Sequence, residues 1–171
     1  AFERRLARMS MPALVLIGPM GAGKTSIGKR VAKALQVPFF DSDAAIAQQH
    51  GPIEKIFTEH GEPYFRELER AAVVRGIVSH GVVSLGGGAV LHPDTQDDLA
   101  HERVVLLTVS GDTIESRIRG SRRPLLQGDA LARWHELYES RRALYEQLAT
   151  VTFDTSHGPL QMVVDDVVDW T

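Results

Sequence analysis

Gly18-Pro19-Met20-Gly21-Ala22-Gly23-Lys24-Thr25 matches the pattern G-x-x-x-x-G-K-[ST] at every specified position. The apolar run 13–17 before it reads as a strand covered on both faces, and residues 25–35 after it have the periodicity of an amphipathic helix. Glycine lets the backbone curl so that several N–H groups point at one polyphosphate, and the helix N-terminus adds its dipole. The stretch therefore predicts a phosphate-binding loop. The alternative, a glycine-rich turn that matches by chance, is disfavoured by this flanking pattern.

Two side chains of this loop carry its chemistry. In loops of this pattern the lysine, here Lys24, places a cation against the β- and γ-phosphates, and the hydroxyl of Thr25 is a ligand of Mg²⁺. We therefore predict binding of ATP or GTP with Mg²⁺, and we count Lys24 among the catalytic residues. The other residues here predicted to contact the nucleotide are Gly21, Ala22, Gly23 and Ser26.

Outward from the loop, short apolar runs alternate with longer stretches of helical periodicity. Strands are predicted at 13–17, 37–40, 82–85, 104–109 and 151–153. Helices are predicted at 25–35, 42–50, 53–79 with a break near Gly61, 93–100, 113–119, 130–148 and from Gly158-Pro159 onward. This alternation indicates an α/β domain with a parallel sheet, whose ligands bind at the carboxyl ends of the strands.

The composition fits one globular domain over residues 1–171. Its first ten residues are charged, and we expect them to form a short extension. The formal net charge of −3 gives no reason to expect nucleic acid or an anionic membrane as a partner. No apolar run reaches the about 18 residues needed to cross a bilayer. The absence of cysteine excludes disulfides and thiolate zinc sites and fits a reducing cytoplasm, where we expect the protein to act.

Carboxylates and glycines follow the second and third predicted strands. Asp41-Ser42-Asp43 places two carboxylates beside the loop, where one can help to hold Mg²⁺ and the other can accept a proton from an attacking hydroxyl. The alternative for either aspartate is a helix cap. Gly86-Gly87-Gly88 allows a ligand to press against bare backbone, or forms a flexible turn; spacing alone does not decide between these.

Arginines occur where a carboxylate-bearing substrate would need them. Arg66 and Arg141 lie on predicted helices, where the alternative is a solvated or ion-paired surface position. Arg122-Arg123 stands in a loop with Pro124 and Gly128, the composition of a mobile lid over about 120–131. We predict that Arg123 stabilises charge on a transferring phosphoryl group and is catalytic.

Together these motifs resemble the shikimate kinase family, from about Leu14 to about Val168. The family's markers are present in order: Gly18–Thr25, Asp41-Ser42-Asp43, Phe65-Arg66, Gly86-Gly87-Gly88-Ala89, Arg123-Pro124-Leu125-Leu126 and Arg141-x-x-Leu144-Tyr145. The resemblance implies a three-layer α/β/α P-loop kinase fold, with a five-stranded parallel sheet in the order 2-3-1-4-5, flanking helices and a mobile lid. It also implies transfer of the γ-phosphate of ATP to the 3-hydroxyl of shikimate, a step towards chorismate and the aromatic amino acids.

The resemblance also implies roles for particular residues. Thr25 and Asp41 would serve Mg²⁺, and Asp43 would hold the shikimate hydroxyls and act as the general base. The remaining assignments are Arg66 and Arg141 clamping the shikimate carboxylate, Gly87 and Gly88 supplying backbone contact, and Arg123 reaching over from the lid.

The chain departs from the family pattern at three places. Ala143 replaces a proline near the second clamp arginine, where Arg142 is the neighbour of Arg141. The arginine that stacks on adenine is either Arg117, which we assign to ATP binding, or Arg119. In the adenine-contacting loop, His157 stands where arginine is common, and we assign it to ATP as well.

Two other functions compete with this one. A different small-molecule kinase of the same fold, such as a gluconate or nucleoside-monophosphate kinase, would share the phosphate-binding loop. The two arginines favour an acidic acceptor, and the short lid disfavours nucleotide acceptors. A non-catalytic ATP-binding module would have no need of Asp43. We expect a monomer, with ATP and shikimate as its partners.

Overall fold

Five short runs of mostly apolar residues pair as one parallel sheet in the computed structural model, which describes residues 2–3, 11–119 and 129–171. The strands are β1 (Leu14–Ile17), β2 (Phe39–Asp41), β3 (Val82–Ser84), β4 (Arg103–Thr108) and β5 (Val151–Asp154). Their order is β2-β3-β1-β4-β5, and every neighbouring pair is parallel. The predicted strand order is confirmed.

Helices connect the strands and cover both faces of the sheet. They are α1 (Lys24–Leu35), α2 (Ser42–His50), α3 (Ile53–His60), α4 (Glu62–Val78), α5 (Pro93–Leu99), α6 (Gly111–Arg119), α7 (Ala130–Leu148) and α8 (Leu160–Trp170), with a 3₁₀ turn at Ala89–Leu91. In the described part of the chain, no helix is long and apolar enough to cross a membrane.

The core lies in two layers because side chains alternate across a strand. Leu14 and Leu16 of β1 pack with the layer that includes α1 and α8, whereas Val15 and Ile17 pack on the opposite face, against α4 and Tyr145 of α7. All four β1 residues are buried, as expected for a central strand covered on both sides. The predicted α/β/α layering is therefore confirmed.

The strand boundaries lie within one residue of the predicted ones, except at the start of β2, and the structure adds one short element. Strand β2 starts at Phe39 rather than at residue 37, because Pro38 has no N–H with which to join the ladder. The break predicted in the long helix is present at Gly61, whose φ of 81° ends α3 before α4 begins. The 3₁₀ turn was not predicted. The expected extension, 1–10, and the expected lid, about 120–131, lie mainly outside the described residues.

Candidate active site

A cleft of about 370 Å³ opens at the carboxyl edge of the sheet, where the phosphate-binding loop meets the ends of β2 and β3. Most of the predicted site residues that the structure describes take part in its lining. These are Gly21, Gly23, Lys24, Thr25, Ser26, Asp41, Asp43, Gly87 and Arg117. Residues distant in the sequence therefore meet at the edge where α/β sheets bind ligands.

The phosphate-binding loop has a backbone that requires glycine. At Gly18 a Cβ would lie 2.3 Å from the carbonyl oxygen of Leu107, so no larger residue fits. Gly23, with a φ of 94°, precedes the first turn of α1 in a conformation that other residues rarely adopt. Lys24 Nζ donates to the carbonyls of Gly18, at 2.7 Å, and Pro19, at 3.0 Å. The lysine ammonium group thus lies over the loop.

Asp41 caps a helix and also lines the cleft. Its Oδ1 accepts a hydrogen bond from the N–H of Ala44 at 2.9 Å and caps α2. Its Oδ2 accepts one from the hydroxyl of Thr25 at 2.6 Å. Since each carboxylate oxygen serves one partner, capping the helix does not remove Asp41 from the cleft.

Asp43 lines the same cleft as Asp41. Burial, followed by the neighbouring charge of Asp41, raises the pKa of its carboxyl group, although the cations of Lys24 and Arg66 act in the opposite direction. A Cβ on Gly86 would lie 2.5 Å from Asp43 Oδ1. The carboxylate therefore rests directly against the glycine run that follows β3.

Each glycine of that run faces a different polar side chain. A Cβ on Gly87 would lie 3.3 Å from Arg141 Nη1, and one on Gly88 would lie 2.5 Å from Arg66 Nη1. Tyr145 holds the run in place by donating its hydroxyl proton to the carbonyl of Gly87 at 2.6 Å. Close approach accounts for glycine at residues 86 and 88, where a Cβ would lie 2.5 Å from a side-chain atom.

Arg66 forms hydrogen bonds with two acidic residues of its own helix. Its Nη1 donates to Glu69 at 2.7 Å and its Nη2 to Glu62 at 3.2 Å. Burial acts to lower the pKa of Arg66, but these two carboxylates together raise it, so the guanidinium group stays charged. Glu69, only 3% exposed, was not among the predicted site residues. The contact could have been found from the spacing, because Glu69 follows Arg66 by three residues on a predicted helix and such residues are neighbours on the helix surface.

The structure separates the two adjacent arginines of α7. Arg141 points its guanidinium group at Gly87, inside the site. Arg142 is exposed and pairs with Glu139 and Glu146 of the same helix, at 3.5 Å and 3.2 Å. The arrangement brings Arg141 and not Arg142 to the glycine run, and α7 continues without interruption through the residue that replaces the family proline.

Of the residues predicted to contact adenine, the structure brings Arg117 to the cleft but not His157. Arg117 lines the cleft and donates hydrogen bonds to the carbonyls of Gly21 and, at 2.7 Å, Thr155. Burial lowers the pKa of Arg117. His157 is exposed on the loop before α8 and is not among the residues that line the cleft. The side chain of Arg119 and all of Arg123 lie outside the described residues.

Two further residues contact the phosphate-binding loop but belong to none of the recognised motifs. Trp134 Nε1 donates to the carbonyl of Met20 at 2.8 Å, and the hydroxyl of Thr155 donates to the carbonyl of Ala22 at 2.8 Å. Both side chains are buried. Nothing in their local sequence indicates these contacts, because each joins the loop from an element more than 100 residues away.

Comparison with known proteins gives a consistent result. A family model described as shikimate kinase matches residues 20–171. A shikimate kinase of Rhodococcus jostii (strain RHA1) is 41% identical over 161 residues, which cover 92% of this chain and 96% of that protein. A shikimate kinase of Thermobifida fusca (strain YX) is 46% identical over 154 residues, covering 88% of this chain and 90% of that protein.

Solved structures agree with the sequence matches. The shikimate kinase of Acinetobacter baumannii, solved in complex with shikimate, superposes with a TM-score of 0.83 at 29% identity, covering 96% of this chain and 95% of that one. A gluconokinase of Sinorhizobium meliloti 1021 reaches a TM-score of 0.64 at 23% identity over 92% of this chain and 89% of that one, which shows a shared fold only. The chain belongs to the shikimate kinase family and is a phosphotransferase.

Proposed function

We propose that this enzyme transfers the γ-phosphoryl group of ATP to the 3-hydroxyl of shikimate, giving shikimate 3-phosphate and ADP. The observation that carries the proposal is the convergence of Asp43, Arg66 and Arg141 on residues 86–88, beside the phosphate-binding loop. Shikimate has several hydroxyl groups and one carboxylate, so it offers a partner to each of these side chains. The likeness to a shikimate kinase solved with shikimate supports the same acceptor.

On the donor side, we assign the phosphates of ATP to the loop 18–25. Its N–H groups and the N-terminus of α1 provide the positive end of a dipole for the phosphates. Lys24 needs only to exchange its bonds to Gly18 and Pro19 for phosphate oxygens, because its ammonium group already lies over the loop. We also assign Gly21, Ala22, Gly23, Ser26 and Arg117 to ATP.

Thr25 and Asp41 have the chemistry of a magnesium site. Mg²⁺ prefers oxygen ligands and is commonly held by one or two protein groups together with phosphates and water. The hydroxyl of Thr25 and the carboxylate of Asp41 stand 2.6 Å apart at the end of the loop, so these two residues fit the ion. When bound there, Mg²⁺ would neutralise part of the phosphate charge.

On the acceptor side, Arg66 and Arg141 would bind the shikimate carboxylate. A planar guanidinium group donates two parallel hydrogen bonds to a carboxylate, so two arginines orient it firmly. Gly87 and Gly88 let the substrate approach the backbone beside both guanidinium groups. Anchoring the carboxylate turns the ring so that a hydroxyl faces Asp43 and the γ-phosphate.

We assign the general base to Asp43. In the transfer, the 3-hydroxyl oxygen forms a bond to the γ-phosphorus, the bond from that phosphorus to the β,γ-bridging oxygen breaks, and the hydroxyl proton passes to the carboxylate. Burial raises the pKa of Asp43, which increases its proton affinity while leaving Arg66 and Lys24 to favour the ionised form. A higher proton affinity suits a group that must accept a proton from the substrate.

The remaining assignments rest on the family resemblance. We propose that Arg123 stabilises the charge of the transferring group from the lid, and that His157 approaches the adenine when ATP is bound. We further propose a monomer that acts in the cytoplasm, where ATP is available as the phosphoryl donor. Sedimentation that gives a dimer mass would contradict the monomer.

The deciding experiment measures ADP release with Mg²⁺ and ATP in the presence of shikimate, gluconate, a nucleoside monophosphate or no acceptor. We expect release to depend on shikimate alone. Release stimulated by gluconate instead would favour the alternative kinase of the same fold. Folded protein that binds ATP but responds to no acceptor would support a nucleotide-binding module without kinase activity.

A further inference from the structure

Three successive carbonyl groups of the phosphate-binding loop, those of residues 20–22, each accept a hydrogen bond from a side chain of another element. The donors are Trp134 in α7, Arg117 in α6 and Thr155 just after β5. A loop with this many glycines has little intrinsic preference for one backbone conformation. Contacts from other elements therefore help to set its conformation, together with bonds inside the loop such as that from the N–H of Ala22 to the carbonyl of Pro19 at 3.3 Å.

Aromatic packing fixes the position of the Trp134 side chain. It is 5% exposed, and its ring stacks on Tyr138 with centroids 5.3 Å apart. Its Nε1 donates to the carbonyl of Met20 at 2.8 Å. Indole has one N–H and no acceptor, so this bond satisfies the only polar group of the side chain.

Thr155 joins the loop to the ends of two strands. It is 1% exposed, and its hydroxyl lies 2.8 Å from the carbonyl oxygen of Ala22 and 3.0 Å from that of Thr108. Its backbone N–H donates to the carbonyl of Thr108 at 2.8 Å, and its own carbonyl accepts from Arg117 at 2.7 Å. Thr155 therefore anchors the middle of the loop to the sheet.

These contacts determine which way the loop's N–H groups face. In a planar trans peptide, the carbonyl of one residue and the N–H of the next point in opposite directions. Holding the carbonyls of residues 20–22 against Trp134, Arg117 and Thr155 turns the N–H groups of residues 21–23 away from those three side chains. It also keeps carbonyl oxygens, which would repel phosphate, from turning towards the nucleotide.

We infer, on the basis of the ATP binding proposed above, that Trp134 and Thr155 are positioning residues that preorganise the loop for the phosphates of ATP. Neither is assigned a contact with nucleotide or shikimate, although Trp134 contributes to the lining of the cleft. Both act through the peptide groups of the loop, so their loss weakens nucleotide binding and leaves the shikimate side unchanged. Preorganisation of this kind lowers the cost of ordering the loop when the ligand binds.

The first test removes the hydroxyl of Thr155. Thr155→Val keeps the shape of the side chain, and Thr155→Ser keeps the hydroxyl. We expect Thr155→Val to raise the Kd for Mg–ADP, measured by calorimetry, and the KM for ATP by about tenfold, as for the loss of one buried hydrogen bond. The KM for shikimate should change less than about twofold. Thr155→Ser should recover most of the nucleotide affinity.

A buried threonine away from the nucleotide provides the matched control. Thr95 is fully buried, and its hydroxyl accepts a hydrogen bond from Arg70 at 3.0 Å. Thr95→Val should therefore lower thermal stability as Thr155→Val does, while leaving the Kd for Mg–ADP unchanged. Equal nucleotide affinity in wild type and Thr155→Val would overturn the role of Thr155.

The second test uses the tryptophan and does not depend on Thr155 variants folding. Trp134→Phe keeps an aromatic ring but removes the N–H that reaches Met20, and we expect the Kd for Mg–ADP to rise several-fold. Trp170→Phe is the control, since Trp170 packs against the core from the last helix. An unchanged Kd in Trp134→Phe would overturn the role of Trp134. Wild-type protein that binds no Mg–ADP would contradict the proposed function itself.

Discussion

Thr25 Oγ1 donates a hydrogen bond to Asp41 Oδ2 at 2.6 Å, although 16 positions separate the two residues in the sequence. One residue belongs to the first turn of α1 and the other to the end of β2. The parallel sheet places both at its carboxyl edge, because strands β2 and β1 run in the same direction on either side of β3. This pair of oxygen atoms is the site proposed above for Mg²⁺.

Replacing Asp41 by asparagine should separate metal binding from helix capping. Asparagine caps helices as well as aspartate does, so the free energy of unfolding should change by less than about 1 kcal/mol. The loss of the charge should raise the Mg²⁺ concentration for half-maximal activity by about tenfold or more. A magnesium titration of activity and a thermal melt measure the two effects.

Asp94→Asn is the control for this variant, because Asp94 is an exposed aspartate in the first turn of α5. It should leave the magnesium requirement unchanged. If Asp41→Asn needs no more Mg²⁺ than the control, Asp41 is a cap and not a metal-site residue.

The neighbouring arginines of α7 offer a matched pair. Arg141→Ala should raise the KM for shikimate by about 10- to 100-fold, because it removes charge-assisted hydrogen bonds to the substrate carboxylate. Arg142→Ala removes only exposed ion pairs with Glu139 and Glu146, so it should change that KM less than about twofold. Steady-state kinetics at saturating ATP measure both. Similar effects of the two substitutions would contradict the assignment of the clamp to Arg141.

Gly88→Ala should disturb shikimate binding through Arg66. The φ of Gly88 is −94°, which alanine adopts readily, so the backbone is not strained. Its Cβ would nevertheless lie 2.5 Å from Arg66 Nη1 and push the guanidinium group aside. We expect a several-fold rise in the KM for shikimate, an unchanged KM for ATP and little loss of stability. An unchanged KM for shikimate would argue against the role of Arg66.

Asp43→Asn should lower kcat by about 100-fold or more, because the general base is lost. In wild type, kcat should fall as pH decreases through the raised pKa of Asp43, since the protonated carboxyl cannot accept the proton. A pH profile of kcat measures this. Near-normal turnover by Asp43→Asn would remove Asp43 from the mechanism.

The same substitution should have an opposite effect on stability. The folded protein binds the Asp43 proton more tightly than the unfolded chain, so stability due to this group falls as pH rises above the unfolded pKa, which is about 3.9. Asp43→Asn should therefore raise the melting temperature at neutral pH, and the gain should shrink as the pH falls through the raised pKa of Asp43 and be lost below about 3.9. A lower melting temperature at neutral pH would show that Asp43 supports the fold.

The fold could be predicted from sequence because its signals are local. Each signal can be recognised from a few neighbouring residues: the apolar runs, the loop 18–25 and the glycine at residue 61. The alternation of predicted strands with predicted helices indicates parallel pairing in the sheet. The strand order came from the family resemblance. The boundary of β2 was wrong by two residues because Pro38 interrupts an otherwise apolar run.

Tertiary structure decided what depends on side-chain direction and on contacts between distant elements. It brought Arg141 rather than Arg142 to the glycine run, because only one of two adjacent helical residues can face the cleft. It buried Glu69 beneath Arg66.

The amino-acid sequence is enough to predict a phosphate-binding loop on an α/β sheet, with carboxylates and arginines that an acidic acceptor would need. How other elements hold that loop depends on the folded chain. Trp134 is separated from its partner in the loop by 114 positions of the sequence, and Thr155 from its partner by 133. A hydrogen bond over such a separation forms only after the chain has packed.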